Sequence, residues 1–523
     1  MLQFKDKALA QQDKAVLNRF ERSLNNGGEN MEERVQLEKT FKPQWVWAIA
    51  LGSAIGWGAF ILPAEWLGKA GPIGAVIGLI IGALLMMVIA VSYGVLIEKY
   101  PVSGGEFAYA YIGFGRNHAF ICGWFLTLGY ICIVALNASA LALLGKFMLP
   151  SLTNIGLLYE IGGWQVYLGE VVIATAALLI FAYFNIKGAS ISGSLQYIFC
   201  IILVAGVFLL TLSMLLSPSS DLSNLQPFFK PEIPALTGII AIIAIAPWAY
   251  VGFDNIPQAA EEFNFPPKKA FMLIIYSLIV ACILYSFMII ATAVAMPWQN
   301  LVAGKPIWGT GDVISDTLGA FGVLLLAISL CMGVFTGLNG FYVSSSRLLF
   351  AMGRAKVVPK AFSRLHPKHG TPYIGVLFTC ALCLFAPWFG RPVLLWIVDM
   401  SATGVTIAYF YTCYTAYKLF SWTEAADGRM VSPGKKLVAL IGALSGLSFL
   451  GLLLVPASPS ALGAPSLIAL IVWAVLGLAF YLYKRKEYNQ IPKSTLDYYI
   501  LGNTETNGTE DKTDSQVSIK IDA

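Results

Sequence analysis

Charge is what this chain has least of. Asp, Glu, Lys and Arg together make up 12% of its 523 residues, against about 25% in soluble globular domains. Histidine is rarer still: His118, His366 and His369 are all there are, and none lies inside a long apolar run, so neither zinc nor haem has a ligand set. The eight cysteines, Cys122, Cys132, Cys200, Cys282, Cys331, Cys380, Cys383 and Cys413, fall mostly within apolar segments. No loop holds a pair of them, so no disulfide is expected, and Cys380-x-x-Cys383 reads as helix packing rather than a redox or metal motif. No cluster of His, Cys and carboxylates supports catalysis, which argues against an enzyme. A net charge of +5 is too modest to suggest a nucleic-acid partner. What fills the chain instead is apolar: 57% of residues are hydrophobic, in runs of about twenty that recur from end to end. The expected class is an all-α, multi-pass membrane protein with the bilayer as its main partner.

Twelve spans are expected, near 45–67, 72–97, 119–144, 166–185, 190–216, 235–261, 269–296, 313–352, 373–389, 392–418, 437–456 and 464–483. The eighth is too long for one simple crossing, so its end from Arg347 is expected to project into water. With the amino terminus inside, only Lys69, Lys146, Lys230, Lys305 and Arg391 of the 34 basic residues lie outside, the split the positive-inside rule requires. Both termini are thus placed in the cytosol, with residues 1–44 and 484–523 as polar tails, and the protein in the cell membrane. Asn507-Gly-Thr, a glycosylation triplet, then lies on the wrong side and is a chance match.

Two of these spans contain weak points. Gly52 to Phe60, GSAIGWGAF, puts three glycines into nine apolar residues at about 1 kcal/mol each relative to alanine. Irregular backbone at membrane depth is tolerated only where protein or a watery cavity satisfies it, so the stretch reads either as a main-chain binding site or as a GxxxG packing face formed by Gly52 and Gly56. In the sixth span, IAPWAYVGFDNIPQAAEE from Ile245 to Glu262, Pro247 removes a backbone donor, Gly252 loosens the helix and Asp254 puts an ionisable group at depth. Two broken helices five spans apart imply an inverted repeat, because an odd-numbered repeat re-enters the membrane from the opposite face. The expected organisation is therefore 45–216 and 235–418 as two five-span repeats, with 437–483 as two peripheral helices. The dipoles suit a small zwitterion: the amides of Gly56, Trp57 and Gly58 open an outer half-helix and face a carboxylate, while carbonyls near Trp248 and Val251 face an ammonium. Asp254 is open to two readings, a proton-sensing carboxylate or the N-cap of the inner half-helix.

At these stretches the chain resembles the amino acid-polyamine-organocation (APC) transporters. Gly52 to Pro63 matches the first-span motif G-S-x-I-G-x-G-x-F-x-L-P, and Trp248 to Glu262 resembles the sixth-span motif ending D-x-x-x-x-A-A-E-E. YPVSGGEFAYAY before the third span and SSSRLLFAMGRAKVVPKAFSRLHPKHGTP from Ser344 to Pro372 add two more matches, so the likeness covers spans one to ten in order. GSAIGWGAF is also similar to the first-span motif of sodium-coupled transporters with the same inverted-repeat fold, that of the bacterial leucine transporter. The resemblance implies a secondary transporter moving an amino acid or related small amine by alternating access. It places the substrate carboxylate on Ser53, Ala54, Gly56 and Gly58 and the amine on the carbonyls of Trp248 and Val251. Trp248 or Phe253 would be the aromatic gate, Phe341 would line the side-chain pocket, and Glu261 and Glu262 would make a gate contact with Lys99 or Arg347.

Two departures stand out. Trp57 replaces the small residue most members carry, which narrows the expected pocket. Leu203 stands where many proton-coupled and exchanging members have a lysine in span five. Without that ammonium, Na+ has a candidate site on the carbonyls of Gly52 and Ile55 and the hydroxyls of Ser344 and Ser345, all hard oxygen donors. The alternatives are a proton as coupling ion, or uncoupled exchange or facilitation. No cofactor is expected. A channel is the remaining rival, disfavoured because the weak points occur once per repeat rather than in rings around an axis.

Overall fold

The computed structural model describes residues 33–161, 164–304, 308–427, 433–458 and 461–502. Lys305, the outermost parts of both tails and Asn507 lie outside them. Nine of the described helices are long and apolar enough to cross a membrane. Among the others, residues 235–262 form a chain of short helices rather than one rod, Tyr373–Phe389 is a shorter apolar stretch, and Gly390–Asp427 is a continuous helix of 38 residues. The peripheral helix Ala464–Gln490 buries little of its apolar surface against the protein, and Ile468, Ile471, Val475 and Leu478 point outward. Exposed aliphatic side chains of this kind are stable only against lipid.

The core is built around the first helix, Pro43–Ile55, of which ten residues are buried. It is flanked by Ala189–Leu215, Lys269–Ala293 and Gly309–Arg354. Small residues permit these approaches: Gly193 lies under the ring of Trp45, and Gly52 lies against Thr336. Tyr-rich helix Gly390–Asp427 packs along Arg116–Met148, which runs from one end of the molecule to the other.

Three features differ from the sequence expectation. Arg347 does not project into water: its side chain is 1% exposed, and the surplus length of its helix lies at the start, before a kink at Gly319 (φ 60°). The tails are also not polar throughout. Residues 33–42 lie against the core with Phe41 fully buried and bridged to Phe263, and the second tail contains the helix Lys493–Leu501, whose Leu496, Tyr499 and Ile500 are buried. At the opposite end of the molecule, Leu157–Ile161 and Trp164–Tyr167 form an antiparallel hairpin, tied down by the Tyr159 hydroxyl donating to the carbonyl of Trp388.

Candidate functional site

The first helix stops at Ile55. Gly56 takes φ 48° and ψ −144°, a left-handed conformation that L side chains resist, and the helix restarts at Gly58–Ile61. The N–H groups of Phe60 and Ile61 bond back to the Trp57 carbonyl, which leaves those of Gly58 and Ala59 as the ones at the restart without an acceptor in the helix. In the sixth stretch, Ala235–Ile243 is followed by Ala246–Ala249, then by Gly252 at φ 137°, and then by Asn255–Gln258 and Ala260–Glu262. The two interruptions touch: a Cβ on Gly252 would collide with the backbone of Ser53 and Ala54.

Aromatic rings close over this junction. The indole of Trp248 covers Gly58, where an added Cβ would fall 2.7 Å from its Cη2. Trp57 meets Trp248 edge-on with centroids 5.7 Å apart. Phe341 packs against Tyr130, and Phe253 lies fully buried between Tyr93 and Tyr409, with the last of which it stacks. The structure therefore brings Ser53, Ala54, Gly56, Trp57, Gly58, Trp248 and Val251 to the two interruptions, while Phe253 is held in an aromatic cluster of its own.

Several polar groups at the junction are short of partners. The Tyr285 hydroxyl lies 2.8 Å from the Ala54 carbonyl oxygen, 3.1 Å from that of Ile55 and 3.0 Å from that of Ala249, so one proton serves three acceptors. Ser53 Oγ, Asn137 Oδ1 and both side-chain polar atoms of Asn255 are buried without a protein partner among the described residues. Buried polar atoms are rarely left this way, because each costs about 1–3 kcal/mol. Tyr285, Asn137 and Asn255 were not singled out from sequence. Only Asn255 carried a signal, as a polar residue inside the sixth-span motif.

The candidate sodium donors are each engaged within the protein. The Gly52 carbonyl accepts from Thr336 Oγ1, and the Ile55 carbonyl from Tyr285. Ser344 donates back to the Gly340 carbonyl, and Ser345 donates to Tyr342 and accepts from Thr379. A buried Gln196 links the first and eighth helices, donating to the carbonyls of Ala48 and Thr336, and Leu203 is fully buried.

Asp254 occupies the N-cap position of Asn255–Gln258 but makes no side-chain cap bond. Its carboxylate turns back instead, accepting from the Gly252 N–H at 2.7 Å and from the Tyr130 hydroxyl at 3.0 Å. Tyr130 adjoins Gln258, whose amide donates to Glu106; Tyr93 donates to the other oxygen of Glu106.

At the tail side, Glu262 forms a two-pronged pair with Arg347, at 2.7 and 3.1 Å. Glu261 collects more donors: both Nη atoms of Arg354 at 2.9 Å, Arg34 at 3.2 Å, and the N–H groups of Leu37 and Ser103. Arg34 also donates to the Tyr499 carbonyl, so both tails converge on this carboxylate. Burial and the neighbouring Arg354 guanidinium pull the Arg34 pKa down to about 10, with Glu261 opposing the shift.

A cavity of about 560 Å³ opens at the hairpin end, lined by Lys146, Phe147, Glu160, Trp164, Trp308 and Asp312 among others. None of its lining residues belongs to the interruptions, where Trp57, Trp248 and Tyr285 occupy the space. The two regions adjoin through Trp308, whose indole N–H donates to the carbonyl of Phe60.

Residues 44–476 match the model of the amino acid permease family. The chain belongs to that family. It is 28% identical over 344 residues to the branched-chain amino acid permease BcaP of Bacillus subtilis, covering 63% of this chain and 70% of that protein. The Lactococcus lactis protein of the same name is 25% identical over 83% of this chain and 92% of its own length. The aromatic amino acid transport protein AroP of Escherichia coli O157:H7 is 24% identical over 88% and 98% respectively. As an amino acid permease the chain is a transporter and not an enzyme, and both interruptions fall inside the matched region.

Proposed function

We propose that this permease carries an amino acid with a neutral, apolar side chain across the cell membrane by alternating access. The observation that carries the reading is the junction itself: two broken helices facing each other, with the start of a half-helix at Gly58, carbonyls of Ala54 and Ile55 from the first helix and of Ala249 from the sixth around one tyrosine hydroxyl, and unpartnered Ser53 and Asn255 beside them. Amides at a helix start suit a carboxylate, and carbonyls short of donors suit an ammonium. Trp57, Trp248 and Phe341 would border the side chain, and relatives named for branched-chain and aromatic amino acids support an apolar one. The full architecture on this reading is twelve spans, with 45–216 and 235–418 as inverted five-span repeats, 437–483 peripheral, and both tails in the cytosol. In the described conformation the Glu261 and Glu262 pairs hold the tail side shut, and Trp248 covers Gly58; withdrawal of that indole would open the junction toward the hairpin end.

The test is uptake into liposomes by the purified full chain, with leucine, isoleucine, valine, phenylalanine, lysine and glutamate each offered as labelled substrate. Saturable uptake and counterflow of a neutral apolar member are expected. Uptake that rises linearly without counterflow would indicate a pore, and preference for lysine or glutamate would overturn the substrate class.

A further inference from the structure

The cavity at the hairpin end has no part in the transport reading. Its walls come from the end of Arg116–Met148, from the hairpin and from the start of Gly309–Arg354, and none comes from the first or sixth stretch. A volume of about 560 Å³ is that of a small-molecule site. Three aromatic side chains line it, Phe147, Trp164 and Trp308, together with three charged ones, Lys146, Glu160 and Asp312.

Those charges do not cancel. Lys146 is engaged within the protein: its Nζ lies 2.6 Å from a Glu170 carboxylate oxygen and donates to the Gln165 carbonyl at 3.2 Å. That pair is neutral. Glu160 and Asp312 have no ion-pair partner among the described residues, and Asp316 adds another carboxylate one turn along the helix from Asp312. The cavity therefore carries a net negative charge. Its aromatic walls favour the same kind of guest, because ring faces attract cations. Lys146 already demonstrates this, with its ammonium 4.1 Å from the ring centroid of Trp164 and 4.9 Å from that of Tyr167. Phe147 and Trp308 meet edge-on with centroids 4.6 Å apart, so a ring face is presented there too.

Other ligands fit less well. An anion would meet two carboxylates and a lysine that is already paired, and a zwitterionic amino acid would bring its own carboxylate beside Glu160 and Asp312. A metal ion lacks a ligand set, since no group of three His, Cys, Asp or Glu among the described residues could hold one.

We infer that the hairpin-end cavity is a second binding site, for an organic cation with an ammonium head and an apolar or aromatic body, which the permease does not carry but which slows its cycle. The carboxylates hold the head and the rings hold the body. The link to transport runs through Trp308. Its ring lines the cavity, while its indole N–H donates at 2.8 Å to the carbonyl of Phe60 in the restarted half-helix Gly58–Ile61. A cation held against that ring fixes Trp308, and with it the half-helix beside the junction. Binding stands independently of the transport reading; only the slowing rests on it.

The probe is benzyltrimethylammonium, whose charge no change of pH removes and which has no carboxylate to offer the junction. Titrated calorimetrically into the purified full chain, it is expected to bind saturably, and more weakly as salt rises. Glu160→Gln combined with Asp312→Asn is expected to weaken binding about tenfold. Absence of saturable binding, or unchanged affinity in the double variant, overturns the site. Displacement by the amino acid found by counterflow also overturns it, because the probe would then sit at the junction. In liposomes, saturating external probe should lower the maximal rate of uptake at unchanged apparent KM, and inhibition overcome by excess amino acid would sink the proposal. Trp308→Phe keeps a ring and removes the indole N–H, so it should retain binding and lose most of the inhibition; full inhibition in that variant overturns the link through Phe60. Absence of counterflow for every amino acid tested overturns the transport reading instead, and the calorimetric test of the cavity remains in force.

Discussion

Gly58 is a glycine because of one neighbour. The indole of Trp248 lies where its side chain would be, so any Cβ must displace that ring. Gly58→Leu is expected to abolish uptake with normal membrane insertion, measured as uptake per surface-labelled molecule; retained uptake would mean that the indole moves without consequence. Tyr285 makes the complementary case. Its hydroxyl bridges carbonyls from both interruptions, and Tyr285→Phe leaves up to three buried acceptors without that donor. A stability loss of about 1–3 kcal/mol should appear as a lower melting temperature in detergent; an unchanged melting temperature would place other donors at the junction. Gly58 was legible from sequence because glycine clustering in an apolar run has a backbone cost that needs a reason. Tyr285 was not, because a tyrosine in a mostly apolar helix, which here holds Tyr276 as well, looks the same whether it packs or bridges, and only the fold brings it to two distant carbonyl sets.

The breaks were readable as elements for the same reason: Gly52 to Gly58 and Pro247 with Gly252 weaken the helix within each stretch, and local signals of that kind survive without tertiary information. The hairpin of Leu157–Ile161 and Trp164–Tyr167 left no such mark, since nearly all of it falls in the connection before the span expected at 166–185 and its form depends on the docking of Tyr159 on Trp388. Arg347 divides the two kinds of reading. The length of its apolar span suggests an end projecting into water, whereas the resemblance pairs it with Glu261 or Glu262; it is buried on Glu262, a pairing that depends on where the broken sixth helix ends. Glu262→Gln would strand the guanidinium in a dry site at a cost of about 3–5 kcal/mol. Arg347→Met in the same chain should recover much of that loss, because it removes the stranded charge. Denaturation midpoints of the two single variants and the double variant measure the coupling; simple additivity would mean that the pair contributes nothing to the closed tail side.

At the scale of the whole molecule, the argument concerns which end faces the cell interior. The segment 33–42, the helix Lys493–Leu501 and the Arg34–Glu261–Arg354 cluster gather at the Arg116 end of the helix Arg116–Met148, and the hairpin lies at its Met148 end. Thirty-three helical residues separate those ends, a length of about 50 Å and enough to cross the bilayer. The orientation proposed above, which the distribution of Lys and Arg supports, puts the tail end in the cytosol. The native cysteines are buried or half-buried, so single added thiols can report sidedness. Glu160→Cys, on the exposed hairpin, is expected to react in intact cells with a membrane-impermeant maleimide. Lys268→Cys, exposed beside the segment that meets Phe41, should react only after permeabilisation. The reverse labelling pattern would invert the molecule. It would put the Glu261 and Glu262 pairs at the outer mouth and the hairpin-end cavity at the inner one, so withdrawal of the Trp248 indole would open the junction to the cytosol and the amino acid would approach it from inside.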